Sequence, residues 1–200
     1  MLNWLPNAVT FIRILAAPVV GAMIWLAAGR MDALEVAVLY GFAFLIFSFA
    51  CLTDWIDGYL ARALKAESEF GAKLDLWADK VLVAAALFGG LAVFWPAALI
   101  GLVTLTGRDA VIMWLRSRYP SVNLAATFLA KSKTAIVMTG LAGLMAGAAY
   151  WFALAAQGNP PNIPAISLLA VSGTLFALGS GLSLVTAWQY IAATRRQRPA

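Results

Sequence analysis

Apolar runs long enough to cross a bilayer follow one another along most of the chain, separated by short polar connections. At about 1.5 Å of rise per helical residue and a hydrocarbon core of about 30 Å, six stretches qualify, at roughly residues 8–28, 35–60, 74–95, 97–117, 134–155 and 164–191. No linker or shift of composition marks a second unit, and no fixed-period repeat is evident. The pattern predicts an all-α integral membrane protein with six transmembrane helices in one bundle, a single domain over residues 1–200. The first span carries Arg13 and Pro18 and lacks a basic leader and a small-residue cleavage pattern, so a removable signal peptide is not expected.

Composition supports the class: 63% of residues are hydrophobic, 12% are charged, and the mean hydropathy is +0.86. Basic residues set the orientation. Arg62, Lys65 and Lys73 lie between spans two and three, Arg116, Arg118, Lys131 and Lys133 between four and five, and Arg195, Arg196 and Arg198 after six. The alternate connections hold only Arg30, offset by Asp32. The positive-inside rule places both termini and this end of the bundle in the cytoplasm, as expected for a multi-pass protein of the cell (inner) membrane. A net charge of +5 then means anionic membrane lipids and phosphate as partners, since nothing resembles a nucleic-acid module. One cysteine, Cys51, excludes a disulfide framework within the chain. Trp4, Trp95, Trp151 and Trp188 fall near span ends, as interfacial belt residues do.

Four carboxylates break the apolar pattern and require a reason. Asp54, Asp57, Gly58 and Ala61 stand at i, i+3, i+4 and i+7, one face of a helix, and Gly71, Asp75 and Asp79 repeat at i, i+4 and i+8 on the next. Facing lipid, each acid would cost roughly 2.5–3.5 kcal/mol. Facing one another, two carboxylates about 4 Å apart repel by about 4 kcal/mol at an effective dielectric near 20, so a convergent set stays ionised only around cations. An all-oxygen donor set with no histidine anywhere in the chain suits Mg2+ or Mn2+. Gly58, Ala61 and Gly71 leave the acidic faces open to a bulky ligand, and Arg62 adds a fork for an anion held by the metals, which together read as a pyrophosphate site.

The pattern D-x2-D-G-x2-A-R-x8-G-x3-D-x3-D is matched at every position by Asp54, Asp57, Gly58, Ala61, Arg62, Gly71, Asp75 and Asp79, and so resembles that of the CDP-alcohol phosphotransferases. The resemblance implies a six-helix membrane enzyme that moves the phosphatidyl group of a CDP-linked lipid to an alcohol and releases CMP. It further implies two metal ions on Asp54, Asp57, Asp75 and Asp79, with Asp79 as general base, and a homodimer. One departure stands at Leu74-Asp75-Leu76-Trp77-Ala78-Asp79-Lys80, where family members carry a proline after the first acid, so a straighter helix start is expected.

Two further stretches narrow the reading. Asn7, Thr10 and Arg13 lie at i, i+3 and i+6 of the first helix, within a segment similar to the opening of phosphatidylglycerophosphate synthases, which implies contact with the CDP moiety. Arg13 has a simpler alternative, snorkelling to the interface. Arg108, Arg116, Lys131 and Lys133 fall at the cytoplasmic ends of spans four and five, where one cationic pocket suits a phosphate-bearing acceptor; the plainer alternative is an internal Arg108–Asp109 pair. The R-x7-R spacing and the A-A-x-x-L-x-K-x-K-T segment resemble the same synthases, implying CDP-diacylglycerol as donor and glycerol 3-phosphate as acceptor. Arg-Asp in place of Arg-Glu is nearer to the CMP-forming cardiolipin synthases, which use phosphatidylglycerol. Ser183 to Tyr190 resembles the family's sixth helix. An ion-coupled transporter is the alternative from another class, since intramembrane acids also mark ion paths.

Overall fold

The computed structural model describes the backbone of residues 5–64, 69–118 and 128–196; within these, the side chains of 5–9, 54–64, 69–76, 116, 128–131, 193 and 195–196 lie outside the described residues. All regular structure in the described residues is helical. Helix α1 spans Leu5–Ala27, α2 Ala33–Leu64, α3 Glu69–Leu102, α4 Arg108–Arg118, α5 Phe128–Ala156 and α6 Ile163–Arg196, with a π-helical segment, Val103–Gly107, joining α3 to α4.

The third helix is not one rod. At Phe94 the backbone leaves helical geometry (φ −130°, ψ 62°), two residues before Pro96, which lacks an N–H and crowds the preceding turn. Beyond the break the chain doubles back. A Cβ built on Gly90 would lie 3.4 Å from that of Ala98, and one on Gly101 3.2 Å from Leu87 Cδ2. In a straight helix those pairs would stand about 12 and 21 Å apart. The break falls at the junction of the two stretches expected at 74–95 and 97–117, inside α3.

Neighbouring contacts fix the direction of each pass. α1 runs parallel to the first half of α3, with Gly21 against Ala85 and Trp25 stacked on Phe88 at 5.7 Å. α2 is antiparallel to α5, where Tyr40 lies over Phe152 at 6.3 Å, and α5 to α6, where Gly143 faces Ser172 and Gly179 faces Val137. The bundle therefore gathers Thr10, Arg13, Asp79, Lys80, Arg108, Asp109, Lys133 and Ser183 at one end. The opposite end is closed by caps that satisfy exposed helix termini. Asp32 Oδ1 accepts from Leu34 N at 2.7 Å, Asn162 Oδ1 accepts from Ala165 N at 3.0 Å, and Gly158 takes a positive φ of 73° as α5 stops.

Five helical stretches are long and apolar enough to cross a membrane, and one of them, Trp77–Leu115, contains the Phe94 break. Large apolar side chains such as Phe42, Phe49, Phe88, Leu178 and Trp188 point outward, while the interior is built around Ala17, Val20, Ala43, Phe47 and Leu82. Small interior residues let helix backbones approach closely, which is how membrane helices gain packing without a hydrophobic driving force between them.

The α1–α3 contact is the tightest expression of this. A Cβ on Gly21 would sit 2.6 Å from the Ala85 carbonyl oxygen, and one on Gly89 would meet Gly21 O. Gly21→Ala is expected to lower stability by about 1–3 kcal/mol through overpacking. Gly173→Ala, where nothing lies within 4 Å, should be neutral or stabilising by up to about 1 kcal/mol. Thermal midpoints in detergent compare the two; equal midpoints would mean that α1 and α3 do not meet at Gly21.

Candidate active site

α1 and α3 bring the first pair of predicted residues together across the bundle. Arg13 Nη1 stands 3.4 Å from Asp79 Oδ1, with the arginine only 1% exposed and the aspartate 26%. A guanidinium withdrawn this far from water requires an anion, and the parallel course of the two helices supplies one. Arg13 therefore does not snorkel. Thr10, one turn earlier on α1, is buried beside it. Asp79, expected from sequence to be a base and metal ligand, thus pairs with a residue expected to contact the nucleotide.

A second cluster forms where α3, α4, α5 and α6 meet. Thr104 Oγ1 donates to Ile100 O at 2.7 Å and Thr106 Oγ1 to Leu102 O, so side chains compete for carbonyls of the preceding turn as the chain widens into the π-helical segment. The segment delivers Arg108 to the interior. Its Nη1 bonds Asp109 Oδ1 at 2.5 Å, its Nη2 bonds Thr186 Oγ1 at 3.2 Å, and its guanidinium carbon lies 5.9 Å from the Tyr190 ring centroid. Asp109 also faces Lys80 Nζ at 3.6 Å, which ties α4 back to α3 next to Asp79. From α5, Lys133 Nζ donates to Ser183 Oγ at 3.2 Å, and Lys133 is within electrostatic reach of Arg108, Asp109 and Lys80. Arg108 thus makes the internal pair with Asp109 and also shares a cluster with Lys133.

Beside the Lys80–Asp109 pair a cavity of about 520 Å³ opens between α3 and α4, walled mainly by Trp77, Val81, Ala84, Met113 and Trp114. Lys80 Nζ lies 5.8 Å from the Trp77 ring centroid at its rim. α3 is regularly helical through Trp77, in keeping with the straighter start expected where the family's proline is missing.

Ser183, Thr186 and Tyr190, which hold the second cluster, were not assigned roles from sequence. Their spacing of i, i+3 and i+7 is a detectable signal, because it draws a polar stripe down one face of an apolar helix. All three are buried.

The side chains of Asn7, Asp54, Asp57, Gly58, Ala61, Arg62, Gly71, Asp75, Arg116 and Lys131 lie outside the described residues, although their helices are described. Among the described residues no group of three or more His, Cys, Asp and Glu could hold a metal ion, and three of the four predicted ligands lie beyond that set. What can be tested is backbone register and donor chemistry. Asp54 and Asp57 fall within unbroken helix in α2, Asp75 and Asp79 within unbroken helix in α3, so each pair shares a face. Four carboxylates make a hard-oxygen set that fits Mg2+ or Mn2+.

Comparison with known proteins addresses the family. The family model for the CDP-alcohol phosphatidyltransferases matches residues 3–159. A CDP-diacylglycerol–glycerol-3-phosphate 3-phosphatidyltransferase from Pseudomonas fluorescens is 33% identical over 200 aligned positions, covering 94% of this chain and 89% of that protein. Proteins of the same name from Cereibacter sphaeroides and Yersinia enterocolitica are 38% and 40% identical over shorter stretches, covering 73% and 50% of this chain and 65% and 58% of their own lengths. A family match across most of the chain and a relative aligned nearly from end to end leave no gap between motif and fold: the chain belongs to the CDP-alcohol phosphatidyltransferase family.

Proposed function

We propose that this protein transfers the phosphatidyl group of CDP-diacylglycerol to glycerol 3-phosphate, giving phosphatidylglycerophosphate and CMP. The relatives carry that activity in their names, and the match with the Pseudomonas fluorescens protein runs through the acceptor segment as well as the acid motif. The observation that carries the acceptor is a charge imbalance. Around Asp109 the described residues bring together three cations, Lys80, Arg108 and Lys133, and one anion. Lys133 is 6% exposed and the Arg108 side chain 10%, and Arg108 Nε is buried with no hydrogen-bond partner among the described residues. A surplus of two positive charges among the described residues of this cluster supports binding of a dianion. A phosphate monoester, at about −1.5 to −2 near pH 7, meets that demand better than the single charge of a phosphodiester. Glycerol 3-phosphate is accordingly favoured over phosphatidylglycerol, the acceptor in the cardiolipin-synthase alternative.

In the proposed mechanism, Arg108, Lys133, Arg116 and Lys131 hold the acceptor's phosphate so that its 1-hydroxyl faces the donor. Asp79 takes the proton from that hydroxyl as oxygen attacks the lipid-linked phosphorus, and the bond to the CMP oxygen breaks. Arg62, with Asn7, Thr10 and Arg13, steadies the nucleotide, while Gly58, Ala61 and Gly71 leave room for it. Asp54, Asp57, Asp75 and Asp79 would hold two Mg2+ or Mn2+ ions, which, when bound, neutralise the pyrophosphate and the departing phosphate. The two Asp pairs, ten and seven residues before the end of α2 and six and ten after the start of α3, lie at similar distances from the short connection between these helices, which supports their sharing one site. The Phe94 hairpin supports counting α3 as two passes, hence six spans in one domain over residues 1–200, with both termini and the active site cytoplasmic in the inner membrane. The homodimer that the resemblance implies belongs to the same reading. Metal-dependent CMP release in detergent supports the enzyme, and its absence alongside ion flux would favour a transporter.

Three outcomes follow. Asp79→Asn should reduce turnover to near zero yet keep measurable CDP-diacylglycerol binding, whereas Asp54→Asn and Asp75→Asn should weaken metal binding too; a near wild-type rate in Asp79→Asn across pH would remove Asp79 from the role of base. Arg108→Ala and Lys133→Ala should each raise KM for glycerol 3-phosphate by about 10- to 100-fold, the worth of a charge-assisted hydrogen bond, with little change in KM for CDP-diacylglycerol. Steady-state kinetics with each substrate varied separately would expose a shared rise, which counts against the pocket. Cysteines placed at Arg118 and Asn159 in a Cys51→Ala background should label from opposite faces, the first from the cytoplasm; labelling from one face would refute the topology.

A further inference from the structure

We infer that the buried polar face of α6 aims the acceptor-binding cations, with Thr186 a positioning residue for Arg108 and Ser183 one for Lys133. The inference rests on the acceptor pocket proposed above and adds to it residues beyond the stretch matched by the family model, which ends at 159.

The bonding of Thr186 is what singles it out. Its hydroxyl donates its one proton to Ser183 O at 2.8 Å, so toward Arg108 it can only accept, and Arg108 Nη2 donates to it at 3.2 Å. Asp109 accepts from Nη1 at 2.5 Å, and the guanidinium carbon lies 5.9 Å from the Tyr190 ring centroid. A rigid planar fork held at two nitrogens, by Asp109 of α4 and Thr186 of α6, is fixed in direction, so the aim of its remaining N–H groups, the buried Nε among them, depends on α6 as well as on α4. One turn back on the same face, Ser183 Oγ accepts from Lys133 at 3.2 Å. Thr186 is 1% exposed and Ser183 fully buried, so neither grips the ligand from the surface; they act through the cations.

Hydroxyls in membrane helices commonly bond only to their own backbone, and Thr174 does this, donating to Ala170 O at 2.8 Å from an exposed position. It gives the control. Thr186 and Ser183 differ from it in receiving a cation from another helix, 78 and 50 residues away in sequence.

The experiment uses purified full-length protein in detergent micelles containing CDP-diacylglycerol, with KM for each substrate and the thermal midpoint measured. Thr186→Val, which removes the acceptor oxygen while keeping the side chain's outline, should raise KM for glycerol 3-phosphate by about 5- to 10-fold, the scale of one hydrogen bond held at second hand. KM for CDP-diacylglycerol and the thermal midpoint should stay put, Thr186→Ser should restore most of the loss, and Thr174→Val should change nothing. Added to Arg108→Ala, Thr186→Val should cost less than about twofold more, since residues that act as one unit are not additive. Ser183→Ala with Lys133→Ala forms the same cycle and carries the test alone if Thr186→Val does not fold. An unchanged acceptor KM in both α6 variants, an equal rise in both KM values, or full additivity would overturn the inference. Should Arg108→Ala raise the acceptor KM while the α6 variants do not, the α6 assignment alone fails. Should Arg108→Ala and Lys133→Ala leave it unchanged, the acceptor pocket fails and this inference with it.

Discussion

A charge inside an apolar bundle must be met by another charge, and the arrangement of this protein's active end depends on that constraint. Arg13 is almost wholly withdrawn from solvent, and Asp79 answers it from a helix 66 residues further along the chain. Arg108 and Lys80 share Asp109, while Lys133 leans on a serine. Arg13–Asp79, Lys80–Asp109 and Lys133–Ser183 each tie two helices, so these polar contacts act as spacers that fix which helix ends meet, while Arg108 pairs within its own helix. Pairing of this kind seldom adds net stability, because desolvation offsets attraction, but breaking one partner leaves an expensive orphan. The function of such pairs is better sought in geometry than in stability.

That geometry needs a rigid backbone beneath it, and the bundle builds one out of small residues. Where Gly21 and Gly89 let α1 and α3 touch backbone to backbone, Arg13 and Asp79 lie about two turns away along the same pair of helices. The α5–α6 interface repeats the device with Gly140, Gly143 and Gly179, and the Lys133–Ser183 bond sits one turn beyond its end. Close packing further along the helices thus sets the spacing of polar groups at the end of the bundle. A shift of one helix by a residue would carry a cation about 1.5 Å along the axis and turn it to another face.

Much of this was legible in the sequence because membrane insertion imposes a strong, local rule. Spans of adequate length, acids at helical spacing and basic connections are each visible in short windows, and the elements at 8–28, 35–60, 134–155 and 164–191 have counterparts in α1, α2, α5 and α6. Tertiary pairing is not local. Nothing near Arg13 says that its partner is Asp79, so snorkelling remained open until α1 and α3 were seen to run parallel. The π-helical segment was hidden for a related reason: two threonines and a glycine are compatible with an ordinary helix, and only the competition of Thr104 and Thr106 for carbonyls reveals the widened turn. On α6 the signal was present but weak, since Ser183 and Thr186 are polar residues of a kind that apolar helices accommodate by bonding to themselves.

The two substrates proposed for this site differ in where they reside, and that difference explains why the polar residues collect at an end of the bundle rather than midway through it. CDP-diacylglycerol keeps its acyl chains in the bilayer and its nucleotide at the surface, whereas glycerol 3-phosphate comes from water and carries a dianion that no apolar path would admit. A reaction between them is possible only at the level of the headgroups. In the proposed site the acids of α2 and α3 serve the donor and the cations of α4 and α5 the acceptor, with the Lys80–Asp109 pair tying α3 to α4. Opposite charges kept apart by one shared ion pair can hold a metal-bound pyrophosphate on one side and a free phosphate on the other without either ligand neutralising the residues meant for its counterpart. On this view Asp109 separates the two sub-sites as much as it joins them, and its place in the first turn of α4, directly after the π-helical segment, sets where that divider stands.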